Sequence, residues 1–396
     1  MAEWIDCKIA DLGTVIGGAT PSTKRLEYYE NGSIAWITPK DLSTFRGRYI
    51  RRGERNITEI GLKSCSTQLL PKNTVLFSSR APIGYIAIAE NELCTNQGFK
   101  SVIPNENIDP LFLYYLLKYN KTKIESMGSG TTFKEVSGNT LKNILVSVPR
   151  DKKVQEQISS ILGAIDNKIE SNEKINNNLE QQAEALFHSS FVENVNPIWK
   201  EGVLSDLGTV VAGGTPSKTK PEYYSKKGIA WITPKDLSLN KSKFISHGEI
   251  DISELGFSKS SAIKMPTGTV LFSSRAPIGY IAIAANEVTT NQGFKSVVPN
   301  ENVGTVFMYY LLKFLLPTIE GMASGSTFKE ISGAGMKSIP VVIPDNETID
   351  KFNAFCTPIF QQQEVLEAEN SRLVDIRDAL LPKLMAGNLD VSSIEH

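Results

Sequence analysis

Arg80 and Arg275 each close the strand-like run of a segment that occurs twice, "LFSSRAPIGYIAIA". A guanidinium fork there suits the paired acceptors of a guanine edge or the oxygens of a phosphate. A structural ion pair is the plainer use of the same side chain. Asn96-Gln97 and Asn291-Gln292, in a repeated "TNQGFKSV", offer amides that match adenine edges, or that build a turn. Thr20, Ser22 and Lys24 answer Thr215, Ser217 and Lys218 or Lys220 in "GGATPSTK" and "AGGTPSKTK". Glycine-rich segments of this kind let a backbone approach a ligand closely, or simply form a turn. Lys40 and Lys235 follow Trp36 and Trp231, which read as core aromatics, so the lysines alone are candidates. Lys100, Lys134, Lys295 and Lys329 suit phosphates or solvent.

Other chemistries find no support in the residues. Cys7, Cys65, Cys94 and Cys356 lack CxxC spacing, and with only His188, His247 and His396 a zinc site has too few ligands. Scattered cysteines fit a reducing cytoplasm. No apolar run reaches membrane-spanning length, and the opening "MAEWIDCKIADLG" lacks a signal-peptide layout. "GGTPSKTK" lacks the Gly-Lys-Ser/Thr of a phosphate loop. No Asn/Asp-Pro-Pro-aromatic run is present, since Asn196-Pro197 is followed by Ile198, and no Gly-x-Gly loop follows a strand. The expectation is that this chain binds neither S-adenosylmethionine nor ATP itself.

The net charge of −1 conceals an alternation. Residues 1–150 carry 19 Lys/Arg against 14 Asp/Glu, and residues 151–195 carry 4 against 8. Residues 196–345 carry 15 against 12, and residues 346–396 carry 4 against 9. Two basic blocks can meet a polyanion while the acidic blocks face elsewhere.

The basic blocks are copies. At an offset of 195, residues 12–150 and 207–345 agree at 80 of 139 positions without a gap, and "IAWITPKDLS" recurs letter for letter. A long unit used twice is a duplicated globular domain rather than a solenoid. Residues 44–72 and 239–267 diverge most. There the first copy has "FRGRYIRRGER", with Arg46, Arg48, Arg51, Arg52 and Arg55, and the second has "NKSKFISHGEI", with Lys241, Lys243 and His247. Arginine and lysine differ in base and phosphate geometry, so this stretch is a candidate for distinguishing two targets, or else a drifting surface loop.

The elements that must hold these residues follow from periodicity. "VLFSSRAPIGYIAIA" reads as strand, turn, strand, and "NILVSVP" as a closing strand. Asp109-Pro110 reads as a helix cap and first residue, with Thr305 the cap in the second copy. After each copy comes a segment with a seven-residue apolar period. Ile158, Ile165, Leu179 and Leu186 share one seam, as do Ile359, Leu366, Leu373 and Leu380. Phe355 and Ile376 fall on a second, mixed seam, which leaves surface for a partner; Thr357-Pro358 either interrupts the later helix or starts it. About 30 helical residues span roughly 45 Å, comparable with about 13 base pairs of duplex. An antiparallel pair of such helices would relate the domains by a pseudo-two-fold axis, as in dimeric DNA readers.

The order "GG-TPS … YY … I-WIT--DL", then "TFKEVSG" or "TFKEISG", then "QISSILGAIDNKIE", with "LLPKLMAGNLDV" at the end, resembles the specificity subunit of Type I restriction–modification enzymes over nearly the whole chain. The resemblance implies an α+β fold of two duplicated target recognition domains and two long helices pairing as an antiparallel coiled coil. Residues 1–150 would be the first recognition domain, 151–194 its spacer helix, 195–345 the second domain, and 346–396 the second spacer helix and tail. It implies a non-catalytic cytoplasmic subunit that binds a two-part, nearly inverted-repeat site on double-stranded DNA and holds two methyltransferase subunits, which restriction subunits join. S-adenosylmethionine and ATP belong to those partners, and no membrane is involved. A pseudo-dimeric small-molecule enzyme and a protein-binding adaptor are the alternatives.

Overall fold

The computed structural model describes residues 3–130, 134–325 and 329–391. The chain divides into two compact units, residues 1–171 with 370–396, and residues 172–369. The units do not follow the linear order of domain and spacer, because each takes one recognition domain together with parts of both long helices.

In the first unit a five-stranded sheet has the spatial order Gly13–Gly17, Lys100–Pro104, Val75–Ser79, Ile83–Ala89, Tyr49–Ile50. Its pairs are antiparallel except the last, where Tyr49 lies parallel to Ile88. Val75–Ser79 is buried along its whole length, as expected of a central strand covered on both faces. One face packs under the helix Pro110–Tyr119, in a core that includes Phe77, Phe112 and Tyr115. On the other face Leu76, with Phe99, packs in one core with Ile37 of a three-stranded sheet of Arg55–Ile57, Ile34–Ile37 and Cys94–Thr95. Trp4–Lys8 pairs with the closing strand Leu145–Pro149. The second unit repeats the five-stranded order with Gly208–Ala212, Lys295–Pro299, Val270–Ser274, Ile278–Ala284 and Phe244–Ile245. Asp109 caps its helix as expected, accepting from the Phe112 N–H at 2.7 Å. Thr305 does not: it is the first helical residue, Gly304 stands at the cap, and the Thr305 hydroxyl donates to the Gly268 carbonyl.

The long helices are Lys152–His188 and Asn346–Met385. The second begins at Asn346, where Asp345 accepts from the Thr348 N–H, and runs through Pro358. Within the first unit Asp166 pairs with Arg377, and the Ile169 carbonyl accepts from Asn370. Within the second, Asn172 donates to Glu369 and Gln363 donates to the Asn176 carbonyl. In both units one residue number rises as the other falls, so the segments run antiparallel. Leu381, Leu384, Met385 and Val391 enter the same core as Ile158 and Leu162, which is why the chain's end belongs to the first unit.

The seam differs in phase from the heptad expectation. Ile158, Leu162, Asp166, Ile169, Ala183 and Phe187 are buried, a stripe advancing nearer 3.6 than 3.5 residues per turn. Ile158 and Leu366 are therefore buried, whereas Ile165, Leu179, Leu186, Ile359, Leu373 and Leu380 are only partly so. Phe355 and Ile376 face outward, 58% and 49% exposed. Cys356, one residue after Phe355, is buried in its place, and so is Gln363 two turns later.

Candidate nucleic-acid interface

The repeated decapeptide builds the floor of a cleft. Thr38 and Asp41 form a capping box at the start of the helix Pro39–Thr44, with the Thr38 N–H donating to Asp41 Oδ2 at 2.7 Å. Asp41 Oδ1 also accepts from the Glu54 N–H at 2.7 Å, pinning the divergent stretch to the constant one. The Trp36 indole donates to the Ala19 carbonyl at 3.1 Å, and the Tyr29 hydroxyl to that of Pro21 at 2.6 Å. The two rings meet edge to face, 5.9 Å apart, and burial pushes the Tyr29 phenol above its usual pKa. Thr20 donates to Gln97, closing the glycine-rich loop onto the Asn96-Gln97 turn.

The second unit makes the same bonds 195 residues on. Thr233 and Asp236 cap, and Asp236 holds the Glu249 N–H at 2.8 Å. Trp231 donates to the Gly214 carbonyl, Tyr224 to Pro216 and Thr215 to Gln292. The resulting concavity, about 610 Å³, is lined by Thr215, Lys218, Lys235, Arg275, Asn291 and Gln292 among others, so sequence-distant candidates do converge.

Each candidate has a definite place. Arg80 and Arg275 are half-exposed and bound to a carboxylate, Arg80 to Glu135 at 3.4 Å and Arg275 to Glu330 at 3.3 Å. Lys100 and Lys295 reach those same carboxylates at 3.5 and 3.7 Å. Neither lysine is the free phosphate contact expected of it, because both are largely enclosed beneath the glutamate. Lys40 and Lys235 are exposed and paired with Glu54 and Glu249, and the hydrogen bond it donates to Glu54 holds the Lys40 ammonium above its usual pKa. The Asn96 and Asn291 side-chain oxygens accept from the Gly98 and Gly293 N–H groups, the turn use of those amides. Ser22, Lys24, Arg46, Lys134, Ser217, Lys241 and Lys329 are exposed, with Lys241 over the Tyr280 ring at 4.5 Å. The Thr-Phe pair preceding Lys134, and that preceding Lys329, lies outside the described residues.

Three expectations need correction. A Cβ on Gly18 would stand 2.2 Å from the Thr95 and Asn96 carbonyls, and one on Gly213 2.0 Å from that of Asn291. The close approach of the glycine loop is therefore to its own domain. Arg48 is buried, its Nε donating to Glu170 at 3.0 Å, with Asn167 and the Gly163 carbonyl as further partners. Lys243, its counterpart, is buried against Glu180 and Gln363, with its ammonium 4.0 Å from the Phe360 ring centroid. Both cations fasten a recognition domain to a long helix and are not available to a ligand. Tyr115 and Tyr310 strengthen these junctions, donating to Asp166 at 2.5 Å and to Glu180 at 3.0 Å.

Residues missed from the sequence include Tyr29, Asp41 and Glu135, with Tyr224, Asp236 and Glu330. Most sit in the repeated "EYY", "TPKD" and "FKE" motifs, so their repetition was the available signal; a search for cations passed over the acids that hold them. Among the described residues no group of His, Cys, Asp and Glu could hold a metal ion, and no helix is long and apolar enough to cross a membrane.

The family model for the Type I restriction modification DNA specificity domain matches residues 1–181 and again 197–367. The chain is 34% identical to the Type I restriction enzyme MjaIX specificity subunit of Methanocaldococcus jannaschii, over 99% of this chain and 95% of the relative. It is 23% identical to the HindI specificity subunit of Haemophilus influenzae, over 98% of this chain and 100% of the relative. A crystal structure of the Type I restriction-modification S subunit from M. genitalium has the same fold, with a TM-score of 0.63 at 19% identity, covering 97% of this chain and 96% of that one. Two matches of the family model, one on each copy of the repeat, place this chain in the family of Type I restriction–modification DNA specificity subunits.

Proposed function

We propose that this chain is the non-catalytic DNA-reading subunit of a Type I restriction–modification complex, binding a bipartite, nearly inverted-repeat site on double-stranded DNA. The observation that carries this reading is the duplicated site: the same hydrogen bonds and the same half-exposed arginine stand in both units, and in the second they surround a concavity. Similar sites prefer similar half-sites, and two of them suit a target in two parts. Arg80 and Arg275 are held short of full exposure by a carboxylate, so their forks are oriented before DNA arrives. Lys24, Arg46, Lys134, Lys218, Lys241 and Lys329 supply the exposed charge that positions the duplex.

The partners proposed are two methyltransferase subunits, joined by restriction subunits. S-adenosylmethionine and ATP are assigned to those partners, and the cytoplasm is the proposed location. The test is a gel shift with the chain reconstituted with methyltransferase subunits, across a salt series. Specific binding should weaken steeply with salt, and Arg80→Ala and Arg275→Ala should each cost about 1–3 kcal/mol on cognate duplex. Binding indifferent to salt and to both substitutions would remove the clefts from DNA recognition.

A further inference from the structure

The two clefts are alike at almost every lining position, and the exceptions say how their targets differ. Compared 195 residues apart, the lining residues of the second cleft recur identically in the first, except that Lys218 answers Thr23 and Ile250 answers Arg55. Arg55 opens the strand Arg55–Ile57, opposite Trp36 on the cleft floor, with its guanidinium 6.0 Å from the Tyr29 ring centroid. Ile250 lines the second cleft, is 48% exposed, and stands just before the equivalent strand Asp251–Ile252. Among these lining positions one is a cation in the first copy alone, Arg55 on the strand, and one in the second alone, Lys218 in the glycine-rich loop.

We infer that Arg55 and Ile250 are specificity-determining residues that read one base position differently in two otherwise matching half-sites. This rests on the DNA-reading role proposed above. An arginine fork spans guanine O6 and N7, whereas an isoleucine offers only apolar contact, which suits the thymine methyl. The half-site of the first domain carries guanine where that of the second carries thymine. Lys218 replaces the missing charge with a phosphate contact, which is sequence-independent.

The test is a methylation map of cells carrying the full chain with its methyltransferase subunits, for the native chain, Arg55→Ile and Ile250→Arg. Both side chains are exposed, so thermal melting of each variant should match the native chain. The native motif should have two halves differing at one guanine/thymine position. Arg55→Ile should lower the guanine preference in one half roughly ten-fold or more, and Ile250→Arg should create it in the other. Halves that match at every position would overturn the inference while leaving the DNA-reading role intact. So would an unchanged motif in both variants, or a uniform loss of methylation on Arg55→Ile, the mark of a phosphate contact. Methylation that does not depend on the chain would remove the DNA-reading role itself.

Discussion

Arg48 and Lys243 occupy one position in the two repeats, and each places its charge on a glutamate of a long helix. Removing Arg48 leaves Glu170 and Asn167 without their cation, so Arg48→Met should destabilise the chain by about 3 kcal/mol in chemical denaturation. It should leave the salt dependence of DNA binding unchanged. Arg46, two residues away and exposed, should do the reverse: Arg46→Ala should barely move stability but lower the slope of log K against log salt by about one. In the sequence these arginines look the same, because nothing in "FRGRYI" tells which side chain a distant helix will cover. The Glu180 junction also carries a pH signature. Burial works against its carboxylate, but Lys243 and Lys313 outweigh that and hold its pKa at about 2. A carboxyl whose pKa is lower folded than unfolded stabilises the fold above about pH 4.5, and that contribution is lost as pH falls toward 2. Glu367, pushed up by burial, acts in the opposite sense above its ordinary pKa. Stability measured from pH 5 down to 2 should therefore fall less steeply for Glu180→Gln than for the native chain.

At the scale of elements, the domains are fixed by interactions the sequence signals well and the helix junctions by ones it signals poorly. The hairpin Val75–Ser79 to Ile83–Ala89 and the Asp109-Pro110 helix start were legible, because alternation and capping chemistry are local. The helix seam was legible only in outline. Its buried stripe drifts from a strict heptad, and it includes Asp166, Asn172 and Gln363, polar residues that read as solvent-facing until their partners are known. Within the second unit aromatic contacts hold the last turn of the first long helix beside the Glu180 junction: Phe187 meets Phe191, Phe307, Tyr310 and Phe352 at centroid distances of 5.2, 5.8, 6.0 and 5.8 Å. Phe187→Ala should cost about 3–5 kcal/mol, read from the denaturant midpoint, since a cavity among such rings cannot close without moving the helix.

Over the whole molecule, duplication is the feature that organises both structure and role. The repeat at offset 195 was visible from the letters alone, and its bonds recur in each cleft down to the Thr–Gln and Trp–carbonyl contacts. The stretch that distinguishes the copies was visible as the most divergent part of the repeat, but which of its changes reach a cleft was not, because that depends on where the fold places Ile250 and its counterpart Arg55. Two near-identical reading sites in one chain imply a target with two near-identical parts. The most direct measurement is the methylation motif that appears when the native chain is supplied to cells with its methyltransferase subunits. An interrupted motif whose two parts resemble each other in opposite sense is the expected result; an uninterrupted motif, or two parts with no resemblance, would contradict the claim that both clefts read DNA alike.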